Sequence, residues 1–103
     1  MTEFQVRFNV TVLVPSGYEL LLVHRYVRML FLPYPGLEVR FDGERNNILK
    51  NIECKKVVWD ETNDLFEVEC LDIDVSGWGF ATSLPVKDVE KFATDSGWTM
   101  GVG

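Results

Sequence analysis

The sequence predicts an α+β fold with the element order β-α-β-β-β-α, in which two helices pack on one face of a mainly antiparallel sheet. Three observations support this fold class: a run of strict apolar–polar alternation, two runs with helical spacing, and two strand-like runs that flank a polar turn. The chain has 103 residues, of which 47% are hydrophobic and 13% aromatic. Residues 1–103 are therefore expected to form a single compact domain with its own core.

The first strand is predicted from Phe4 to Val14. Apolar residues occupy the even positions, whereas most odd positions are polar, which is typical of a half-buried strand. The segment Pro15-Ser16-Gly17 then interrupts the alternation.

The first helix is predicted from about Gly17 to Phe31. Ser16-x-x-Glu19 has the spacing of a capping box, and Pro33 disfavours helix in the residue before it. On a helical wheel, His24 shares one polar arc with two arginines, Arg25 and Arg28. The remaining apolar arc spans roughly 200°, wider than the stripe of about 100° that one core needs. This excess predicts a contact with the second helix, with the LPYPG segment, or with another copy in a homodimer formed through the 17–31 helix.

Three further strands are predicted, at 37–41, at about 48–59 and at 64 to about 75. A three-residue loop, Glu61-Thr62-Asn63, would join the last two as a hairpin, with Asn63 in the left-handed conformation. The cross-strand pairs expected from this loop are Val58–Phe66, Cys54–Cys70, Trp59–Leu65 and Lys55–Glu69.

The last of these strands changes phase, because its apolar residues move from even to odd positions after Cys70. A bulge near residues 70–71 would return them to one face. The opposite face would then carry four carboxylates, which are the first candidate binding residues: Glu67, Glu69, Asp72 and Asp74. Their close spacing suggests a cationic neighbour, either within the chain or on a basic partner, although a solvated strand face is the simpler explanation of the pattern.

Two aromatic residues, Trp78 and Phe80, lie in the glycine-flanked segment SGWGFATS and are the other candidate binding residues. They could act as recognition anchors or cover one end of the core. A second helix should begin near Pro85 with Ser83 as its cap, and Gly97 should end it with Trp98 folded back in a Schellman-type contact.

Charge disfavours nucleic acid as a partner. The net charge is −6: residues 1–51 hold six basic and five acidic residues, and residues 52–103 hold four and eleven. A nucleic-acid surface needs a basic face, so a basic protein partner is the easier one electrostatically. A membrane span is not expected, because His24 and the two arginines interrupt the longest apolar run. With no visible signal peptide, a cytoplasmic location and reduced cysteines are expected.

Catalytic and metal-binding patterns are weak. His24 would be the only candidate base, and a solvated helix-face histidine is the simpler interpretation. Cys54 and Cys70 could form a redox pair or a disulfide, or could simply fill a core layer. Residues 72–77 begin like a calcium loop, but Ser83 stands where that loop needs Glu. We therefore expect no catalytic residue, no metal and no cofactor.

The resulting functional hypothesis is a small acidic module that binds a basic protein, as inhibitors, adaptors and immunity proteins do, and is not an enzyme. The alternative is a small-molecule-binding or enzymatic domain that uses the Trp78/Phe80 loop, with His24 or an acidic residue as its polar group. An enclosed pocket would favour the alternative, and an open acidic face would favour the module.

Overall fold

The computed structural model describes residues 3–14, 19–41, 49, 51–74 and 86–101. These residues contain seven strands and one helix, with the following bounds: β1 (Phe4–Val14), β2 (Glu19–Met29), β3 (Glu38–Arg40), β4 (Asn51–Asp60), β5 (Leu65–Cys70), β6 (Ile73–Asp74), α1 (Val86–Asp95) and β7 (Thr99–Met100). The strands form one sheet in the order β3-β4-β5-β1-β2-β7, and β6 also pairs with β1.

The predicted first strand is confirmed, and β1 is the central strand of the sheet. Its even-numbered valines and Phe8 are almost fully buried, so they define the inner face of the sheet. The odd-numbered residues of β1 define the outer face, because successive side chains of a strand point to opposite sides. β1 pairs antiparallel with β2 but parallel with β5 and β6, so the sheet is mixed.

The helix predicted from Gly17 to Phe31 is wrong, because residues 19–29 form strand β2. β2 pairs with β1 along its whole length, from Phe4 opposite Met29 to Val14 opposite Glu19. Its inner face is apolar except for Glu19 and Arg25, and its outer face also carries apolar residues, with Leu20, Leu22 and Tyr26 exposed. A strand that is apolar on both faces does not alternate, so its sequence resembles a helix. The capping residue Ser16 lies outside the described residues.

The predicted hairpin exists as β4 and β5, but its register is shifted by one residue over most of its length. Cys54 pairs with Cys70 as predicted, whereas Trp59 pairs with Phe66 and Lys56 with Glu69. The register changes between Cys54 and Lys56, so the bulge lies in β4, at Lys55. The turn has four residues, 61–64, and Asp64 adopts the left-handed conformation (φ 54°) in place of Asn63.

The second predicted helix is confirmed over 86–95, together with its C-terminal cap. Trp98 N donates to Ala93 O (3.0 Å) and Gly97 N donates to Thr94 O (3.2 Å), which is the hydrogen-bond pattern of a Schellman motif. Gly97 supplies the left-handed residue (φ 91°) that this motif requires. The cap turns the chain so that Trp98 is buried in the core.

Helix α1 lies over the inner face of the sheet, where Val89 and Ala93 join the core. Arg25 of β2 attaches its C-terminal end: Nη1 donates to Ser96 O (3.0 Å), and the guanidinium lies 4.4 Å from the ring centroid of Phe41. A cation at this position also complements the partial negative charge of the helix end. Arg25 therefore belongs to the core contact of α1 and not to a solvated stripe.

The fold class predicted from the sequence needs correction. The described residues contain one helix and a seven-stranded mixed sheet, instead of two helices on a mainly antiparallel sheet. The predicted homodimer contact is therefore wrong in one respect, because the 17–31 helix that was to form it does not exist. The helix in the described ranges is too short and too polar to cross a membrane.

Candidate functional site

The outer face of the sheet gathers most of the polar residues that the strands bury. The register sets Arg7 of β1 between Tyr26 of β2 and Glu67 of β5. Two residues further along β1, Asn9 lies between His24 and Glu69. Directly opposed residues share a face, so these side chains form two adjacent polar rows across three strands.

Arg7 occupies the first polar row and is only 5% exposed. It forms an ion pair and hydrogen bond with Glu67, donates to the Tyr26 hydroxyl (3.4 Å) and lies 3.7 Å from Asp60 Oδ2. Burial lowers the pKa of Arg7, but the hydrogen bonds to Glu67 and Tyr26 outweigh it, so the pKa lies above its ordinary value. Arg7 is therefore charged, and it is the internal cation that holds Glu67.

Asp60 connects this row to the β4–β5 turn. Its carboxylate accepts hydrogen bonds from the backbone N (3.2 Å) and side-chain Nδ2 (2.7 Å) of Asn63. These hydrogen bonds stabilise the carboxylate and lower the pKa of Asp60. Asp60 thus fixes the turn and also supplies a second negative charge near Arg7.

His24 is not the solvated helix-face residue that the sequence predicted. It is 8% exposed, and its Nδ1 donates to Gly101 O at 2.8 Å. Its ring also packs edge-on against Tyr26, with centroids 5.6 Å apart. This hydrogen bond connects β2 to the residue that follows β7.

A small groove opens beside the second polar row, with a volume of about 160 Å³. Leu22 and Glu69 line it, with Asn9 and Thr11 of β1 between them. The Asn9 Oδ1 atom is buried and accepts no hydrogen bond within the described residues. An unpaired buried acceptor costs folding free energy, so a donor that reached this oxygen would supply a hydrogen bond that the described residues do not.

The four acidic candidates have different surroundings. Glu67 is engaged by Arg7, whereas Glu69, Asp72 and Asp74 are exposed. Glu69 and Asp74 lie on the outer face, because they pair in register with Asn9 and Leu13 of β1. Between β5 and β6 the alignment with β1 shifts by one residue, so the strand contains the extra residue that the phase change predicts. Leu71 nevertheless stays 43% exposed and does not return to the core face, contrary to the expectation.

The other two candidates, Trp78 and Phe80, lie outside the described residues, as does Ser83. The aromatic residue that sequence reasoning missed is Trp59, which is 49% exposed at the end of β4. Arg7 was missed as well, since a polar residue on an alternating strand normally faces water. The signal for Trp59 was present in the sequence: the apolar positions of β4 change from even (Ile52, Cys54) to odd (Val57, Trp59).

Cys54 and Cys70 face each other across the hairpin as predicted, and both are buried with free thiols. Burial raises the pKa of Cys54 and raises that of Cys70 to about 12. Because the thiolate is the reactive species, both groups are poor nucleophiles and poor metal ligands near neutral pH. Within the described ranges, no three His, Cys, Asp or Glu side chains are grouped to hold a metal ion.

The outer face therefore offers acceptors and apolar surface, without an activated nucleophile among its described residues. The chain matches no protein-family model, no curated protein and no solved structure.

Proposed function

We propose that this protein is a non-catalytic binding module whose outer sheet face accepts a basic protein partner. The observation that carries the proposal is the groove at Asn9, which lies between the Glu69 carboxylate and the apolar Leu22, and in which Asn9 Oδ1 accepts no hydrogen bond from the described residues. A lysine or arginine side chain complements this arrangement. Its aliphatic stem would pack on Leu22, while its cationic end would donate to Asn9 Oδ1 and Glu69.

The surroundings of the groove favour a protein over a free amine. Leu20, Leu22 and Tyr26 are 65%, 43% and 49% exposed on the same face, and apolar side chains at that density are typical of interaction surfaces. Asp72 and Asp74 add exposed negative charge on the segment that follows β5. The proposal includes a cytoplasmic location, where the two free thiols stay reduced.

The test captures the partner through the groove. A photoreactive residue at position 22 should crosslink a basic protein in lysate at low salt, and much less at high salt. The same residue at Lys87, on the exposed side of α1, is the matched control. Crosslinking to this chain itself would identify self-association of β2 instead, and equal yields from both positions would overturn the proposal.

Variants then separate binding from folding. Glu69→Lys should weaken the captured complex at least about tenfold, whereas Asp88→Lys, with the same charge change on α1, should not. Asn9→Leu should raise the stability of the free protein by up to about 1–3 kcal/mol, because it removes a buried unpaired acceptor, yet weaken the complex. If Asn9→Leu leaves the affinity unchanged, the groove is not the contact site.

A further inference from the structure

A second, larger cavity lies on the inner side of the sheet, away from the groove at Asn9 on the outer face. It has a volume of about 700 Å³ and opens to solvent. The described residues that line it are Glu3, Phe4, Gln5, Trp59, Asp64 and Phe66. Three of these six are aromatic and two are acidic, and none of them is basic.

The bulge at Lys55 builds the aromatic wall. By shifting the register one residue, it sets Trp59 opposite Phe66 on the inner face. Their ring centroids are 4.8 Å apart with an interplanar angle of 59°, and Phe4 contacts Phe66 edge-on at 5.9 Å. Without the bulge, Trp59 would lie on the outer face and the three rings would not meet.

The carboxylates supply the charge. Asp64 stands in the left-handed position of the turn at the start of β5 and lines the cavity. Glu3 lines it as well, but its Oε2 also lies 3.9 Å from Arg28 Nη1. Both partners of that pair are exposed, so solvent screens it strongly and leaves Glu3 able to interact with a ligand.

We infer that this cavity binds an alkylammonium group, either on a small molecule or on a methylated lysine side chain. The faces of aromatic rings attract a cation through their quadrupole, and quaternary ammonium ions favour such sites because they are weakly hydrated. The half-exposed Trp59 provides the largest ring surface, and Asp64 complements the positive charge. This site is separate from the outer-face groove and goes beyond the proposed function.

The experiment is an NMR titration of the whole chain with choline and with 3,3-dimethyl-1-butanol, in which a carbon atom replaces the charged nitrogen. Choline should bind saturably, shift the Trp59 indole signal and bind about 3- to 30-fold more tightly than the neutral alcohol. Equal affinities, or no saturable binding of choline, would overturn the inference. Capped trimethyllysine serves as the second ligand. Tighter binding of choline would indicate a small-molecule ligand, and tighter binding of trimethyllysine would indicate a methylated lysine side chain.

Variants check the location. Trp59→Leu should abolish choline binding, whereas Tyr34→Leu, which removes an exposed ring elsewhere, should not. Asp64→Asn keeps a residue that tolerates the left-handed conformation, so it removes charge without breaking the turn. It should weaken choline binding several-fold, while Glu61→Gln in the same turn should have no effect. Unchanged affinity in Asp64→Asn and Trp59→Leu together would place the binding elsewhere. Neither result bears on the Glu69 and Asn9 variants, which test the outer-face groove.

Discussion

Arg7 on β1 forms an ion pair with Glu67 on β5, 60 positions later in the sequence. The pair joins the two hairpins of the fold across their parallel contact, and Arg7 is almost fully buried. Removing the carboxylate would leave a buried cation with weaker partners, at Asp60 and Tyr26.

Glu67→Gln should therefore lower the free energy of unfolding by about 1.5–3 kcal/mol, the range for hydrogen bonds to charged groups. Urea denaturation measures this change. Glu3→Gln is the matched control, because the exposed pair of Glu3 and Arg28 should contribute less than about 1 kcal/mol. The double variant Arg7→Leu/Glu67→Leu should be more stable than Glu67→Leu alone, because no charge is left unpaired. Strictly additive effects of the two single changes would contradict this coupling.

Asp60 predicts a pH dependence of stability. Hydrogen bonds from Asn63 lower the pKa of Asp60 in the folded protein, below its value in the unfolded chain. The folded state is then favoured above the unfolded pKa, and this contribution is lost as the pH falls through the folded pKa. The thermal midpoint should decrease as the pH is lowered from about 5 to about 2, and Asp60→Ala should reduce that decrease. Glu61→Gln should leave the pH profile unchanged, and an equal profile in Asp60→Ala would exclude this role.

The two cysteines should react slowly in the native protein. Burial raises the pKa of Cys70 to about 12, so little thiolate is present near neutral pH. Alkylation by iodoacetamide at about pH 8 should be many-fold slower for the native chain than for the same chain in denaturant, where the thiol pKa returns to about 8.5. The variants Cys54→Ala and Cys70→Ala assign the rate of each remaining thiol. A native thiol that reacts at the denatured rate would show that the hairpin opens readily.

Gly97 should be essential for the end of α1. Its φ of 91° is strained for any residue with a Cβ, while an added Cβ would meet Arg25 only at an ordinary contact distance of 3.4 Å. Gly97→Ala should lower the free energy of unfolding by about 1–2 kcal/mol, mostly from backbone strain. Gly97→Asn should cost less, because asparagine tolerates this conformation better. Lys91→Ala, within α1, should be nearly neutral, and a neutral Gly97→Ala would argue against the Schellman cap.

Local signals predicted the elements that a clear pattern within the segment itself specifies. The alternation of β1, the facing cysteines of the hairpin and the cap at Gly97 all follow from a few neighbouring residues. β2 was misread because its outer face carries Leu20, Leu22 and Tyr26, so the period of two is hidden. Its pairing with β1 over eleven residues decides the structure, and pairing outweighs local propensity in sheets.

The candidate sites depended even more on distant residues. The parallel pairing that brings β5 beside β1 buries Arg7 and completes the groove at Asn9. No sequence motif predicts this pairing. The aromatic cavity depends on one extra residue in β4. Its phase change is visible between Cys54 and Val57, but only the register shows which strand carries the bulge.

The parallel contact between β1 and β5 also sets an order of events during synthesis. The β1–β2 hairpin can form as soon as residue 29 is available, but the other edge of β1 stays unpaired until β5 and β6 have been made. That edge belongs to the strand whose even-numbered valines and Phe8 supply much of the buried core, and unpaired apolar edges are templates for aggregation. The nascent chain is therefore most vulnerable while residues 30–74 are being added, and slow translation of this stretch should lower the yield of soluble protein.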